Sequence, residues 1–184
     1  MTSYKFTYGE IREQICNGDI ILWKGTSLIS RIIMWFTEFS HASLVVRLDI
    51  GNLKDRIFIV EALPEGLSLR LLSNKIKNYS GNVFIYKLSN YTMGPCRSFQ
   101  RTRLRDNAIM DMAKGISYDY KGLFENVFGR VHRDAKQFFC SEFVEYELEK
   151  VAATLKPGAD NTGAARPGDL PLRYDGILYE IKKD

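Results

Sequence analysis

Ser40-His41-Ala42-Ser43-Leu44-Val45-Val46-Arg47-Leu48 sets Ala42, Leu44, Val46 and Leu48 on one side of an extended chain and Ser43, Val45 and Arg47 on the other. A period of two belongs to a strand, and this one carries a histidine at its first residue. Residues 57–63 read as its partner, joined through 49–56, where Gly51-Asn52 marks a hairpin turn. There Glu61 shares a face with Ile59, while Phe58, Val60 and Ala62 take the other. Upstream, Asp19-Ile20-Ile21-Leu22-Trp23 follows Asn17-Gly18 and reads as a buried strand. Residues 67–71, 83–88 and 177–181 read as further strands, so the expected core is a small, mostly antiparallel sheet or half-barrel.

Helical spacing appears elsewhere. Leu28, Ile29, Ile32, Ile33 and Phe36 predict a helix capped by Thr26 or Ser27 and running to about Phe39. After the loop Tyr91-Thr92-Met93-Gly94-Pro95, the positions Leu104, Ala108 and Met112 predict a helix over 98–114, ended by Gly115. Tyr118-Asp119-Tyr120-Lys121-Gly122 leads into a short aromatic helix. Cys140, Val144, Leu148 and Val151 form one stripe, which puts Cys140 at or near the start of a buried helix. Residues 157–171 are a loop rich in Gly, Pro and Asp. Strands first and helices second is an α+β order, and 184 residues make one domain, 1–184.

Composition narrows the function. A net charge of +4 and a pI near 8.9 favour anionic partners without demanding one. Arg97, Arg101, Arg103 and Arg105 concentrate part of that charge, either as a solvated helix face or as a contact for phosphate, cell-wall carboxylates or anionic lipid. No aromatic-interleaved basic motif accompanies them, so nucleic acid is not expected. Three unpatterned cysteines imply no disulfide framework and suit a reducing compartment. The N-terminal residues lack the apolar stretch of a signal peptide, and the longest apolar run, 29–36, is too short to span a bilayer. The expectation is a cytoplasmic protein, or one delivered without a classical signal. Nothing in the sequence sets an oligomeric state.

The chemistry-bearing residues are few. With only two histidines and three cysteines, His41, Glu61 and Cys140 stand out as base, orienting group and nucleophile. A cysteine at a helix N-terminus ionises more readily, and an imidazolium beside it adds to the effect. Each also has a plainer reading: Cys140 as core, His41 as a hydrogen-bonded structural residue, Glu61 as one side of an edge-strand salt bridge. Ser141 lacks a Gly-x-Ser-x-Gly elbow. No Cys-x-x-Cys or His-x-x-x-His spacing points to a metal site, and no cofactor is expected. His132, among Arg130, Arg133 and Lys136, reads as exposed loop.

Gly18-Asp19-Ile20-Ile21-Leu22, then Ser40-His41-Ala42-Ser43-Leu44, Val60-Glu61-Ala62, Tyr118-Asp119-Tyr120, Phe139-Cys140-Ser141-Glu142-Phe143 and Arg166-Pro167-Gly168-Asp169-Leu170 follow one another along residues 17–171. This succession resembles the permuted NlpC/P60-type proteins, papain-like cysteine peptidases and amidases whose chain is circularly permuted. The order His, Glu, Cys reverses that of papain-type enzymes, as a permutation would. The resemblance implies a papain-like α+β fold, a nucleophile-bearing helix packed on a small sheet, and a Cys140-His41-Glu61 triad. It also implies that Tyr118 lies near the site, contacting substrate or oxyanion.

The expected activity is hydrolysis of an amide or peptide bond, with a cell-wall fragment or an acyl lipid as substrate class. Two alternatives stand beside it. One is an acyltransferase or lipase on the same scaffold, as in the lecithin–retinol acyltransferase relatives. The other is a catalytically silent binding module.

Overall fold

The computed structural model describes residues 4–35, 37–63, 66–94, 97–114, 139–160, 162–163 and 165–182. Seven strands form one sheet: β1 (Tyr4–Thr7), β2 (Ile20–Lys24), β3 (His41–Ile50), β4 (Leu53–Leu63), β5 (Gly66–Leu71), β6 (Asn82–Leu88) and β7 (Gly176–Lys182). Their order is β1-β7-β6-β2-β3-β4-β5. Every neighbouring pair is antiparallel except β1 and β7, which run parallel. Among the described residues the helices are α1 (Tyr8–Ile11), α2 (Leu28–Met34), α3 (Leu72–Asn78), α4 (Asn90–Met93), α5 (Arg97–Ala113), α6 (Phe139–Lys150) and α7 (Leu170–Arg173), and a 3-10 turn spans Arg12–Gln14. The class is α+β, as expected, with a mixed sheet.

Strand alternation distributes the core to two faces. Ile20, Leu22, Ala42, Leu44, Val46, Val60, Phe84 and Tyr86 pack against Leu104 and Ala108 of α5 and Phe143, Val144 and Leu148 of α6. Ile21, Trp23, Val45, Ile57, Ile59, Val83 and Ile85 face the other way, onto Ile11, Ile15, Leu72 and Ile76. A strand buried on both sides reads as a continuous apolar run, and 20–23 is such a run.

Several local expectations need correcting. The β3–β4 connection is a tight turn at Gly51-Asn52 rather than an eight-residue loop; Gly51 has φ +55, the left-handed region a glycine enters without steric cost. The Arg47 guanidinium, paired with the Asp55 carboxylate, extends the hairpin's order into residues that look like loop. α2 ends at Met34, short of Phe39, which is instead buried edge-on against Phe84. Arg101 does not lie on a solvated face. It turns inward to Asp19 Oδ1 at 2.9 Å and to the Leu88 carbonyl, tying α5 to the sheet. The expected end of α5 at Gly115, the aromatic helix after Tyr118, and His132 lie outside the described residues. Among the described residues, no helix is long and apolar enough to cross a membrane.

Candidate active site

Three strand ends meet at one margin of the sheet: the end of β2, the start of β3 and the end of β4. β3 and β4 pair from Leu44↔Val60 onward, so Ala42 has no registered partner on β4. Its N–H donates instead to Cys140 Sγ, at 3.4 Å. Cys140 is the second residue of α6 and is 3% exposed, with Val144, Leu148 and Val151 continuing its buried stripe. Sequence spacing anticipates that stripe. α6 brings the thiol to the sheet from one face, while the parity of Ser43 and Val45 directs His41 to the other. Because His41 is the first residue of its strand, its ring reaches past the sheet margin toward the thiol, and each group shifts the other's titration. His41 Nε2 lies 2.9 Å from Glu61 Oε2, which leaves Nδ1 as the nitrogen for sulfur.

Glu61 is completely buried and its Oε2 is crowded with donors. Besides His41 it accepts from the Lys75 ammonium and, at 3.4 Å, from the Ser43 hydroxyl. Ser43 in turn accepts the Trp23 indole N–H at 2.8 Å. The Lys75 ammonium lies 4.7 Å from the centre of the Trp23 ring, a cation–π contact that fixes it over the carboxylate. Arg70 Nε stands 3.3 Å from Glu61 Oε1, outside hydrogen-bond geometry.

These contacts set the charges. Burial pushes the Glu61 carboxyl up, but the His41 ring and Lys75 outweigh it and hold it at about 2. Burial would drive the His41 imidazolium off its proton; the Cys140 sulfur and Glu61 carboxylate together lift it to about 9. Burial likewise opposes the Cys140 thiolate, yet His41 and the Ala42 and Ser141 N–H groups bring the thiol below its ordinary value. The first-turn N–H groups of a helix make no intrahelical bond, so α6 adds its partial positive charge there. Burial and the nearby Glu145 raise the Glu142 carboxyl, while Glu145 itself is paired with Arg173. The arrangement is a buried thiol beside an imidazole braced by a carboxylate, the set of groups that can activate a sulfur nucleophile.

The structure thus brings together His41, Glu61 and Cys140. Ser141 is turned away, its hydroxyl donating to the Ala165 carbonyl. Tyr118 lies outside the described residues. Lys75 and Arg70 escape sequence reasoning, although a buried glutamate by itself demands a cationic partner. Among the described residues, no group of three or more His, Cys, Asp or Glu is gathered as a metal site would require.

No protein-family model matches the chain, and no curated protein matches it in sequence. Among solved structures, it is similar to the crystal structure of the metalloprotein yiiX from Escherichia coli O157:H7, DUF1105. The TM-score is 0.53 and the identity 17%, over 93% of this chain and 98% of that one. The likeness is one of fold. Because it runs over nearly the whole of both chains, it bears on the entire sheet and not on a shared fragment.

Proposed function

We propose that this protein is a cysteine hydrolase of the permuted papain-like, NlpC/P60 kind, cleaving an amide or peptide bond through a thioester on Cys140. The convergence of Cys140 and Glu61 on His41, whose Nε2 lies 2.9 Å from the carboxylate and whose titration is coupled to the thiol, supports this reading most directly. The Cys140 thiolate attacks the carbonyl carbon, and the first-turn N–H groups of α6 are the donors at hand for the oxyanion. The His41 imidazolium gives its proton to the leaving amine as the C–N bond breaks, leaving a thioester and a neutral ring. His41 then takes a proton from water, whose oxygen attacks the thioester; the acid departs and the thiolate–imidazolium pair returns. Glu61 holds the ring in one orientation throughout and stabilises its charged form.

The pH dependence of iodoacetamide labelling, read by peptide mass spectrometry, tests this. Cys140 labels well below pH 8, at least about tenfold faster than Cys16. In His41→Ala its profile returns to that of an ordinary thiol, near 8.5. Cys140→Ala abolishes amide turnover and keeps the fold. A Cys140 no more reactive than Cys16 at any pH refutes the reading and favours a silent binding module.

One observation favours acyl transfer from lipid as a second reading. Leu28 and Trp35 flank α2, just ahead of the His41 strand, and are 75% and 82% exposed. Such side chains suit contact with acyl chains. Appearance of a labelled acyl chain on an added amine or alcohol, in place of free acid, separates the two readings.

A further inference from the structure

Beside Glu61, on the side away from the α6 face, the sheet edge and α3 enclose an open cavity of about 580 Å³. Glu61 forms part of its wall, and Arg70, Asn74, Lys75, Asn78 and Tyr79 line the rest with two apolar residues. The volume is that of a small-molecule site. Two cations stand there against one carboxylate that already accepts from His41. Arg70 is half exposed, and its sole polar contact among the described residues is the Nε approach to Glu61. Its two terminal nitrogens therefore present a planar fork of donors to the cavity, the geometry that receives a carboxylate or phosphate two bonds at a time. The Asn74 side-chain amide likewise makes no hydrogen bond to the described residues, while its carbonyl accepts from Asn78. Lys75 is unlike a surface lysine: it is pinned between the Trp23 ring and Glu61.

We propose that this groove binds the carboxylate or phosphate group of a small anionic ligand through Arg70, Lys75 and Asn74. The site stands independently of the hydrolase reading, because its donors are in place whatever Cys140 does. It also communicates with the thiol. Lys75 serves both the groove and Glu61, so an anion in the groove draws the ammonium away from the carboxylate that braces His41. The ring, which lies between Glu61 and the sulfur, then feels more of the Glu61 charge.

Trp23 reports occupancy directly, since Lys75 lies over its ring. In Trp35→Phe, which leaves Trp23 as the lone tryptophan, intrinsic emission is titrated with inorganic phosphate and with acetate, each against sodium chloride of equal ionic strength. A saturable change beyond chloride is expected with at least one anion; the anion that saturates identifies the group bound. Adding Arg70→Gln or Asn74→Leu weakens the apparent affinity at least about fivefold. Adding Lys77→Gln, an exposed cation of α3 outside the groove, leaves it unchanged. Two results overturn the proposal: a response no greater than that of chloride, or folded Arg70→Gln and Asn74→Leu variants, by circular dichroism, that titrate like their parent. Cys140→Ala keeps the response, so failure here and failure of the hydrolase reading are separate results.

Discussion

With sulfur on one side and the Glu61 carboxylate on the other, His41 keeps its proton to about 9, against an ordinary value of 6.5. Removing either anion lowers that value. Glu61→Gln keeps a hydrogen-bonding oxygen and deletes the charge, so the ring's titration midpoint falls by about one unit or more toward 6.5. Histidine NMR across pH 5–11 reads this directly, because the chain has two histidines and His41→Ala assigns the other. An unmoved midpoint would mean that sulfur alone holds the proton. At this scale the sequence is most legible where a reactive residue begins a strongly patterned element. His41 opens an alternating strand and Cys140 opens an apolar helical stripe. Lys75 is hidden because its helix has only Leu72 and Ile76 as buried positions, four apart in a short segment, too little to register as a period. Arg70 is hidden because a charge on an edge strand ordinarily faces water.

α6 carries the nucleophile and is clamped along its length by ionic groups. Glu145 pairs with Arg173 of α7 and accepts from the Ala165 N–H, fixing the loop after residue 160 across the helix. Two residues on, Glu147 is fully buried, facing Lys150 at 3.1 Å and the neighbouring Asp111 of α5. Burial pushes the Glu147 carboxyl up, Lys150 pulls it down and Asp111 adds to the rise, leaving it at about 7 from an ordinary 4.5. A raised carboxyl stabilises the fold fully below 4.5, and that contribution disappears as pH climbs through 7, by up to about 3 kcal/mol. Glu147→Gln removes this slope: urea unfolding at pH 5 and pH 8 should differ less in the variant, which gains stability at pH 8. A slope identical to wild type would place the titration elsewhere. The strands and long helices that build this platform are readable from periodicity. β1 is not, being four residues at the sheet edge whose neighbour among the described residues is β7, far along the sequence.

For the molecule as a whole, several shifted groups act on one pH profile. Glu61, at about 2 against 4.5, contributes stability above 4.5 that is lost as pH falls through 2. His41 contributes below 6.5 and loses its share as pH rises through 9. Glu147 loses its share earlier, between 4.5 and 7. The lowered Cys140 thiol gains stability toward alkali where His41 loses it. The melting temperature should therefore peak near about pH 5, far below the pI of 8.9, and decline toward pH 7 as Glu147 ionises. Circular-dichroism melts from pH 3 to 10 at constant ionic strength measure it; a maximum near pH 8 would contradict these shifts. The strand order has another consequence, for the chain as it leaves the ribosome. β7 is inserted between β1 and β6. Until residues 176–182 emerge, the first strand has no neighbour and β6 shows a bare edge to other nascent chains. His41 and Glu61 can come together on their hairpin long before that, but the sheet that holds them is closed only once residues 176–182 have emerged.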